Sequence, residues 1–480
     1  MRAGPSQEDI RRHNLGALLR HVHLGGPISR AELTSKMGLN RSTIMALTSD
    51  LTAAGLVREE LPRETGRAGR PSLVVRPESA RVYVFAFDVS PDRLAAARVG
   101  LGGVILDRRE SVRDRGTFEL DELTGVLAGF ARQMRRKTRA DTICVGAAAA
   151  VSGGVRKADG VVRFGPNLRA EDVPFGEELG RRLGLGLPVS VGNDANLAAL
   201  AEHSRGVGAA VRDLIYLHGD VGIGGGIIAG GHLLGGHDGY GGEVGHMVVN
   251  PGGRACGCGS RGCLEAEVGE RALLESAGRI QTAQAAGSAV QGPGHEAGHS
   301  AGVAAGQVAG MAAGQPAGQS PGQSPGRSSG RSSGRQAGSS ARNSDGQPDG
   351  QPAGQQAGQQ AGQHGRDAVR AVVEAADRGD IVAQEALSRV GDWLGLGVAN
   401  LVNIFNPEMV IFGGMLREIY LGSAAQVRTQ LALHAMAPQR ERLRLRTSAL
   451  GDAATLVGAA ELAFAHVLSD PLEVLARANA

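Results

Sequence analysis

Apolar residues recur at helical spacing at Leu15, Leu18, Leu19 and Val22, and Gly25-Gly26-Pro27 stops the run, which predicts an opening helix. Ser29-Arg30-Ala31-Glu32 reads as a capping box for a short second helix carrying Ala31, Leu33 and Met37, with Gly38 at the turn. Asn40 is the expected N-cap of a third helix with Ile44, Leu47 and Leu51 inward and Gly55 at its end. Leu56-Val57 and Leu73-Val74-Val75 read as a strand and its return, separated by the polar Thr65-Gly66-Arg67-Ala68-Gly69-Arg70-Pro71. From about Ala80 strands alternate with helices: strands over 82–89, 94–99 and 104–112, a helix over 119–136, and strands over 142–150 and 189–191. Ile215-Tyr216-Leu217 leads into the glycine-rich Gly222 to Gly226, and 264–280 reads as one helix. Helical pattern resumes from Asp367 to Asn403, a strand at 409–412 precedes Gly413-Gly414, and a last helix spans about 453–468. The class is α/β.

Residues 285–365 break this pattern with Ala-Gly-Gln, Ser-Pro-Gly and Arg-Ser-Ser-Gly units that carry no apolar period. Such a composition cannot bury enough surface to offset its ordering entropy, so a disordered insert is expected. The expected organisation is a DNA-binding domain over 1–77, one folded domain over 78–284 and 366–480, and the insert within it. Charge supports the division. Residues 1–77 hold twelve Lys and Arg against seven Asp and Glu, a net of +5, whereas the whole chain of 480 residues is +3. A basic module on a near-neutral body is the electrostatic layout of a DNA-binding arm.

No secretory leader and no apolar run of bilayer-spanning length is read in the sequence, and three of its four cysteines cluster at metal-ligand spacing. The expectation is a cytoplasmic protein that does not enter membranes. His246, Cys256, Cys258 and Cys263 supply one imidazole and three thiolates, the set that closes a tetrahedral structural Zn²⁺ site, with Gly257, Gly259 and Gly262 folding the backbone round it. The alternative is a group of free buried cysteines. Within 1–77, the second and third helices have helix-turn-helix proportions. Asn40, Arg41, Ser42 and Thr43 begin the reading helix, Thr48 and Ser49 face phosphate further along it, and the Gly-flexed segment bearing Arg67 and Arg70 suits a narrow minor groove. The alternative is a basic hairpin beside a protein-binding helical bundle. His13, His21 and His23 read as surface histidines, Cys144 as a buried small apolar residue, and Trp393 as a packing residue.

The runs Gly241-Gly242-Glu243-Val244-Gly245-His246 and Cys256-Gly257-Cys258-Gly259-Ser260-Arg261-Gly262-Cys263-Leu264-Glu265 resemble the signature of the ROK family of repressors and sugar kinases. Val191-Gly192-Asn193-Asp194-Ala195-Asn196 and Gly222 to Gly226 resemble two further motifs of that family, in order along about 80–284 and 366–480. The resemblance implies a winged helix-turn-helix followed by a two-lobed actin-like, ribonuclease H-like sugar-kinase fold. It implies a sugar or sugar-phosphate effector held by Asn193, Asp194, Glu243, His246 and Glu265, with Asp194 matching the general base of family kinases. Asp194 read alone is equally an N-cap.

The chain departs from the kinases. Asp88-Val89-Ser90-Pro91-Asp92 stands where they carry an Asp-x-Gly-Gly-Thr-like phosphate loop, and Val221 stands where they carry a small hydroxyl residue. Pro91 has no backbone donor and Asp92 adds negative charge. The resulting expectation is a non-catalytic, sugar-responsive regulator, a homodimer or tetramer on a double-stranded operator. The rivals are an ATP-dependent sugar kinase with an appended DNA-binding module, and a scaffold that has lost its effector.

Overall fold

The computed structural model describes residues 6–62, 72–116, 119–187, 189–280 and 365–479. Arg67, Arg70 and all of the low-complexity insert except Gly365 lie outside the described residues.

The chain opens with α1 (Gln7–Gly25), β1 (Ile28–Ser29), α2 (Arg30–Met37), α3 (Arg41–Ala53), β2 (Val57–Glu60) and β3 (Val74–Pro77). Both halves of the Ser29/Glu32 capping box form, Gly38 closes α2 at φ 66°, and the Asn40 side chain accepts the Thr43 N–H to start α3. The three strands pair antiparallel in the order β1-β3-β2.

Two lobes follow. In the first, β4 (Val82–Val89), β5 (Arg93–Gly100) and β6 (Val104–Val112) form an antiparallel meander, and β7 (Ile143–Val151) and β11 (Val189–Asn193) extend it in parallel, in the order β11-β7-β4-β5-β6. The crossovers carry α4 (Leu120–Arg135), the small sheet β8 (Gly154–Val155), β9 (Val162–Gly165) and β10 (Ala170–Val173), and α5 (Phe175–Leu183). β4 is buried along its whole length, as a central strand covered on both faces must be.

α6 (Asp194–Arg205) leads to the second lobe, made of β12 (Leu214–Gly219), β13 (Ile223–Ala229), β14 (His232–Leu233), α7 (Leu264–Val268), α8 (Glu270–Ser276), α9 (Arg366–Asp377), α10 (Ile381–Phe405), β15 (Met409–Gly414), α11 (Met415–His434), α12 (Ala437–Arg440) and β16 (Arg444–Thr447). Its sheet order is β14-β13-β12-β15-β16, with β12 antiparallel to β13 and parallel to β15. The predicted helix over 264–280 is two helices because Gly269 adopts extended backbone, and the 367–403 run breaks at Gly379, φ 92°, before Asp380 caps α10.

The chain then returns as α13 (Ala454–Ser469) to the first sheet and ends in α14 (Pro471–Asn479), a helix absent from the sequence reading. β7 reads Ile-Cys-Val-Gly-Ala-Ala-Ala-Ala-Val, and its small side chains admit α13 closely: a Cβ on Gly146 would lie 3.0 Å from the Ala463 carbonyl oxygen. By composition Gly451–Ser469 is apolar enough to cross a membrane, a feature the sequence reading passed over, but most of it is buried in the fold. α6 packs on β12 and β13, α13 packs on β4 and β7, and the two helices pack on each other.

The opening module does not have a core of its own. Leu15, Leu18, Leu19 and Val22 of α1 join Leu456, Phe464 and Leu468 of α13 and Val82 and Val84 of β4 in one buried cluster. Each fully buried side chain of this kind contributes roughly 1.5–3 kcal/mol. Gly16 sets the spacing, since a Cβ there would lie 2.5 Å from the Leu468 carbonyl oxygen. His23 corrects the sequence reading: it is 0% exposed, not a surface residue. Its ring packs on Phe464 at 4.8 Å between centroids and meets the Glu461 carboxylate at 3.1 Å.

Candidate functional site

A cleft of ≈ 520 Å³ is lined by residues of both lobes, a volume suited to a small polar ligand. All five candidate sugar residues, Asn193, Asp194, Glu243, His246 and Glu265, line it. Asn193 and Asp194 arrive where parallel strand β11 ends and α6 begins, the edge at which open α/β sheets place ligands.

Asn193, not Asp194, is the N-cap of α6. Its carboxamide oxygen accepts the Asn196 N–H at 3.0 Å and its amide donates to the Gly153 carbonyl at 3.1 Å. Asp194 is left facing the cleft. It is 6% exposed, accepts the Ala195 N–H at 2.8 Å and is bonded by the Ser152 hydroxyl. Burial pushes its carboxyl up to about 7, with Asp88 and Asp220 adding repulsion and the two hydrogen bonds opposing the rise. A carboxyl balanced near neutrality can accept or hold a hydroxyl proton.

Glu265 stands in the first turn of α7 and accepts the Ile223 N–H at 3.1 Å. That contact explains a glycine: a Cβ on Gly222 would lie 2.0 Å from the Glu265 carboxylate. His246 turns its Nε2 toward Glu243 at 3.9 Å and its Nδ1 toward Cys256 Sγ at 3.6 Å, so one ring touches both the cleft and the cysteine cluster.

The ligand atoms of His246, Cys256, Cys258 and Cys263 lie within 4.8 Å of one another, and Cys258 Sγ to Cys263 Sγ is 3.8 Å. A tetrahedral ion with metal–sulfur bonds of about 2.3 Å requires sulfur–sulfur edges of about 3.8 Å, which the Cys258–Cys263 pair matches, so the cluster is compatible with a bound metal ion. Gly259 and Gly262 take φ values of 91° and 72°, and a Cβ on Gly262 would lie 1.6 Å from the Asn250 carbonyl oxygen. Gly257 lies in a turn without taking positive φ.

Sequence reasoning missed Ser152, Asn167, His218, Asp220 and Tyr240, which also line the cleft. The place of Ser152 was legible: it follows Val151, the residue paired with Asn193 at the carboxyl edge of the sheet. Near Ser90 the turn is closed upon itself. The Ser90 N–H is bonded to the Arg93 carbonyl at 3.0 Å, and Asp88 accepts Arg93 at 2.9 Å and the Thr455 hydroxyl at 3.0 Å. The Asp92 carboxylate pairs with Arg115 at 2.7 Å, a cation it shares with Glu270 at 2.9 Å. On the opposing turn, the Asp220 N–H is bonded to the Gly222 carbonyl, and Asp220 Oδ2 is buried with no hydrogen-bond partner among the described residues.

At the N-terminal module, Arg41, Ser42, Met45, Ala46 and Ser49 form the exposed face of α3, with Met45 53% exposed. Asn40 is spent largely on capping, accepting the Thr43 N–H and the Ser42 hydroxyl at 2.8 Å each, and Thr43 is half-buried. Thr48 corrects the sequence reading. It is fully buried and donates to the Ile44 and Met45 carbonyls, so it does not face phosphate. Most cations here are paired, as in Arg11–Asp50 and Arg30–Glu59, but Arg41 has no ion pair among the described residues.

The ROK family model matches residues 84–312 and 353–466, and the chain belongs to the ROK family. It is 26% identical to the xylose repressor of Caldicellulosiruptor bescii over 447 residues, 92% of this chain and 93% of that protein. It is 42% identical to the glucokinase of Streptomyces coelicolor over 137 residues, which covers 28% of this chain and 42% of the kinase. A crystal structure of a ROK family transcriptional regulator, a homologue of the Escherichia coli MLC protein, shares the fold at TM-score 0.67 and 22% identity, covering 98% of this chain and 99% of that one.

Proposed function

We propose that this protein is a sugar-responsive, DNA-binding transcriptional repressor of carbohydrate genes, acting in the cytoplasm as a homodimer or dimer of dimers. The observation that carries the reading is a cleft built for hydroxyl groups in the same compact unit as a module with an exposed, cation-bearing helix. The similarity to a xylose repressor along nearly the whole chain supports it. Asp194, Glu243 and Glu265 accept from vicinal hydroxyls, Asn193 positions the end of α6, and His246 orients the wall. The cysteine cluster holds Zn²⁺ in a closed set that offers no catalytic position, and its chemistry is to fix His246.

The winged helix-turn-helix comprises α2, α3 and the β2–β3 hairpin, with α3 reading the major groove. Arg41 and Ser42 meet base edges and phosphates, while the exposed Met45 and Ala46 suit thymine methyl groups. Replacing Arg41 with Ala is expected to weaken operator binding by about 5–150-fold, in line with about 1–3 kcal/mol per base contact, with the sugar response kept. Fluorescence anisotropy on a duplex selected by the protein from a random library measures this, and unchanged affinity removes Arg41 from the interface.

A second reading, an ATP-dependent sugar kinase, is favoured by one observation: the neutral-range carboxyl of Asp194. Against it stands the turn from Ser90 to Asp92. The Ser90 N–H is bonded to the Arg93 carbonyl, Pro91 offers no N–H, and Asp92 and Asp220 bring carboxylates beside the cleft. Phosphoryl transfer depends on donors that are positioned and unspent. A thermal-shift screen with D-xylose, D-glucose, their phosphates and MgATP separates the readings. Stabilisation by a sugar with none from MgATP is expected. Stabilisation by MgATP, with turnover abolished by Asp194→Asn, establishes the kinase instead.

A further inference from the structure

The cleft and the DNA-binding module are joined by continuous structure. α6, 12 residues long, begins with Asp194 on the cleft wall and ends with Arg205, a span of about 18 Å. At its far end Arg205 Nε donates to the Glu461 carboxylate of α13 at 2.6 Å, and Arg205 Nη1 donates to the His23 carbonyl of α1 at 3.2 Å and to the Gly102 carbonyl at 2.9 Å. The Gly102 N–H donates to His23 Nδ1 at 2.9 Å, and His23 Nε2 lies against both the Glu461 carboxylate at 3.1 Å and Arg205 Nη2 at 2.7 Å. Glu461 is 7% exposed and His23 is 0% exposed, so these charges and donors have only one another.

α13 runs alongside α6. Near its start Thr455 bonds Asp88 at the cleft end, its middle holds Glu461, and its last turns pack on α1. The two helices meet backbone to backbone: a Cβ on Gly458 would lie 1.9 Å from the Leu197 carbonyl oxygen. With no side chain between them, they cannot slide or part without losing this contact. Beyond the cluster, α1 is tied to the reading helix by Arg11–Asp50 at 2.5 Å.

The geometry points to α6 and α13 as a rigid strut that carries sugar occupancy from Asp194 to α1, with the buried Arg205–Glu461–His23 cluster as its joint to the DNA-binding module. This inference rests on the regulatory reading above. Arg205 touches neither ligand in that reading; it sets how strongly one site feels the other. A shift of the α6 N-terminus on sugar binding moves the guanidinium against two carbonyls and a carboxylate that hold α1. A desolvated set of this kind has few alternative arrangements, so α1 must follow or the set must break.

The test uses the full chain, the selected operator duplex, and D-xylose and D-glucose. In the wild type, a saturating sugar weakens operator binding by about 5–150-fold. In Arg205→Met/Glu461→Leu, which removes both buried charges together, the sugar-induced thermal shift and the sugar-free operator affinity stay within about threefold of wild type in binding terms, while the weakening falls below about twofold. Arg205→Lys keeps the pairing with Glu461 but cannot reach both carbonyls. It is expected to fold and to give an intermediate response. A full response in either variant overturns the proposal. If neither sugar changes wild-type operator affinity, the regulatory reading itself has failed, an outcome distinct from a loss confined to the variants.

Discussion

If the cluster holds zinc as proposed above, replacing Cys263 with serine is expected to lower the melting temperature by at least about 10 °C and to abolish metal binding, since structural zinc contributes folding free energy directly. Cys263 is fully buried and precedes Leu264, the start of the helix that carries Glu265. In the proposed zinc-bound form, loss of the ion would free two walls of the cleft at once: His246 as a ligand, and Glu265 through its packing beside Cys256 at 3.6 Å. Sugar affinity is expected to fall by about 10–100-fold even where the variant remains folded. Differential scanning fluorimetry with elemental analysis checks this. A variant that keeps its melting temperature after losing the metal shows that the cluster is not structural.

Asp194→Asn is expected to remove the sugar response with little damage to the fold. A hydroxyl hydrogen bond to a charged acceptor is worth about 1.5–3 kcal/mol, so affinity falls by about 10–150-fold. The pH dependence gives the sharper signature. The Asp194 carboxyl in the free protein sits at about 7 because burial disfavours its charge. A sugar hydroxyl donated to the ionised form makes binding tighten as pH rises through that value and releases a proton; the asparagine variant shows neither effect. The sign for stability is the reverse. Below pH 3.8 the group is protonated in both folded and unfolded chains and contributes nothing. Between there and about 7 the unfolded chain ionises first, so the residue increasingly opposes folding, and the penalty persists above. Asp194→Asn is thus expected to melt higher than wild type at pH 8 while binding sugar poorly. Calorimetry across pH 5.5–8.5 tests both halves, and a pH-independent wild-type affinity contradicts the assignment.

How much of this was legible in the sequence depends on how local the cause was. The Ser29/Glu32 capping box and the Asn40 cap act over three residues and could be read directly. The cysteine spacing, with an upstream histidine, identified a cluster whose atoms do lie at metal-binding separations. Thr48 was misplaced although its position was legible: Ile44, Leu47, Thr48 and Leu51 share one helical face, and a polar side chain can sit there by bonding back to its own helix. His23 was not legible. Its partner Glu461 is 438 residues away, and only the return of α13 to the first sheet brings the two together. Asp92 presents the same limit, because its ion-pair partner Arg115 comes from beyond β6.

The most direct test of the central claim is a fluorescence-anisotropy titration of the operator-bound, zinc-loaded protein with D-xylose, D-glucose and MgATP in turn. A repressor whose cleft reads a sugar should release the operator with one of the sugars and be unaffected by MgATP. Operator binding that no sugar alters, with MgATP consumed in the presence of a hexose, would contradict it.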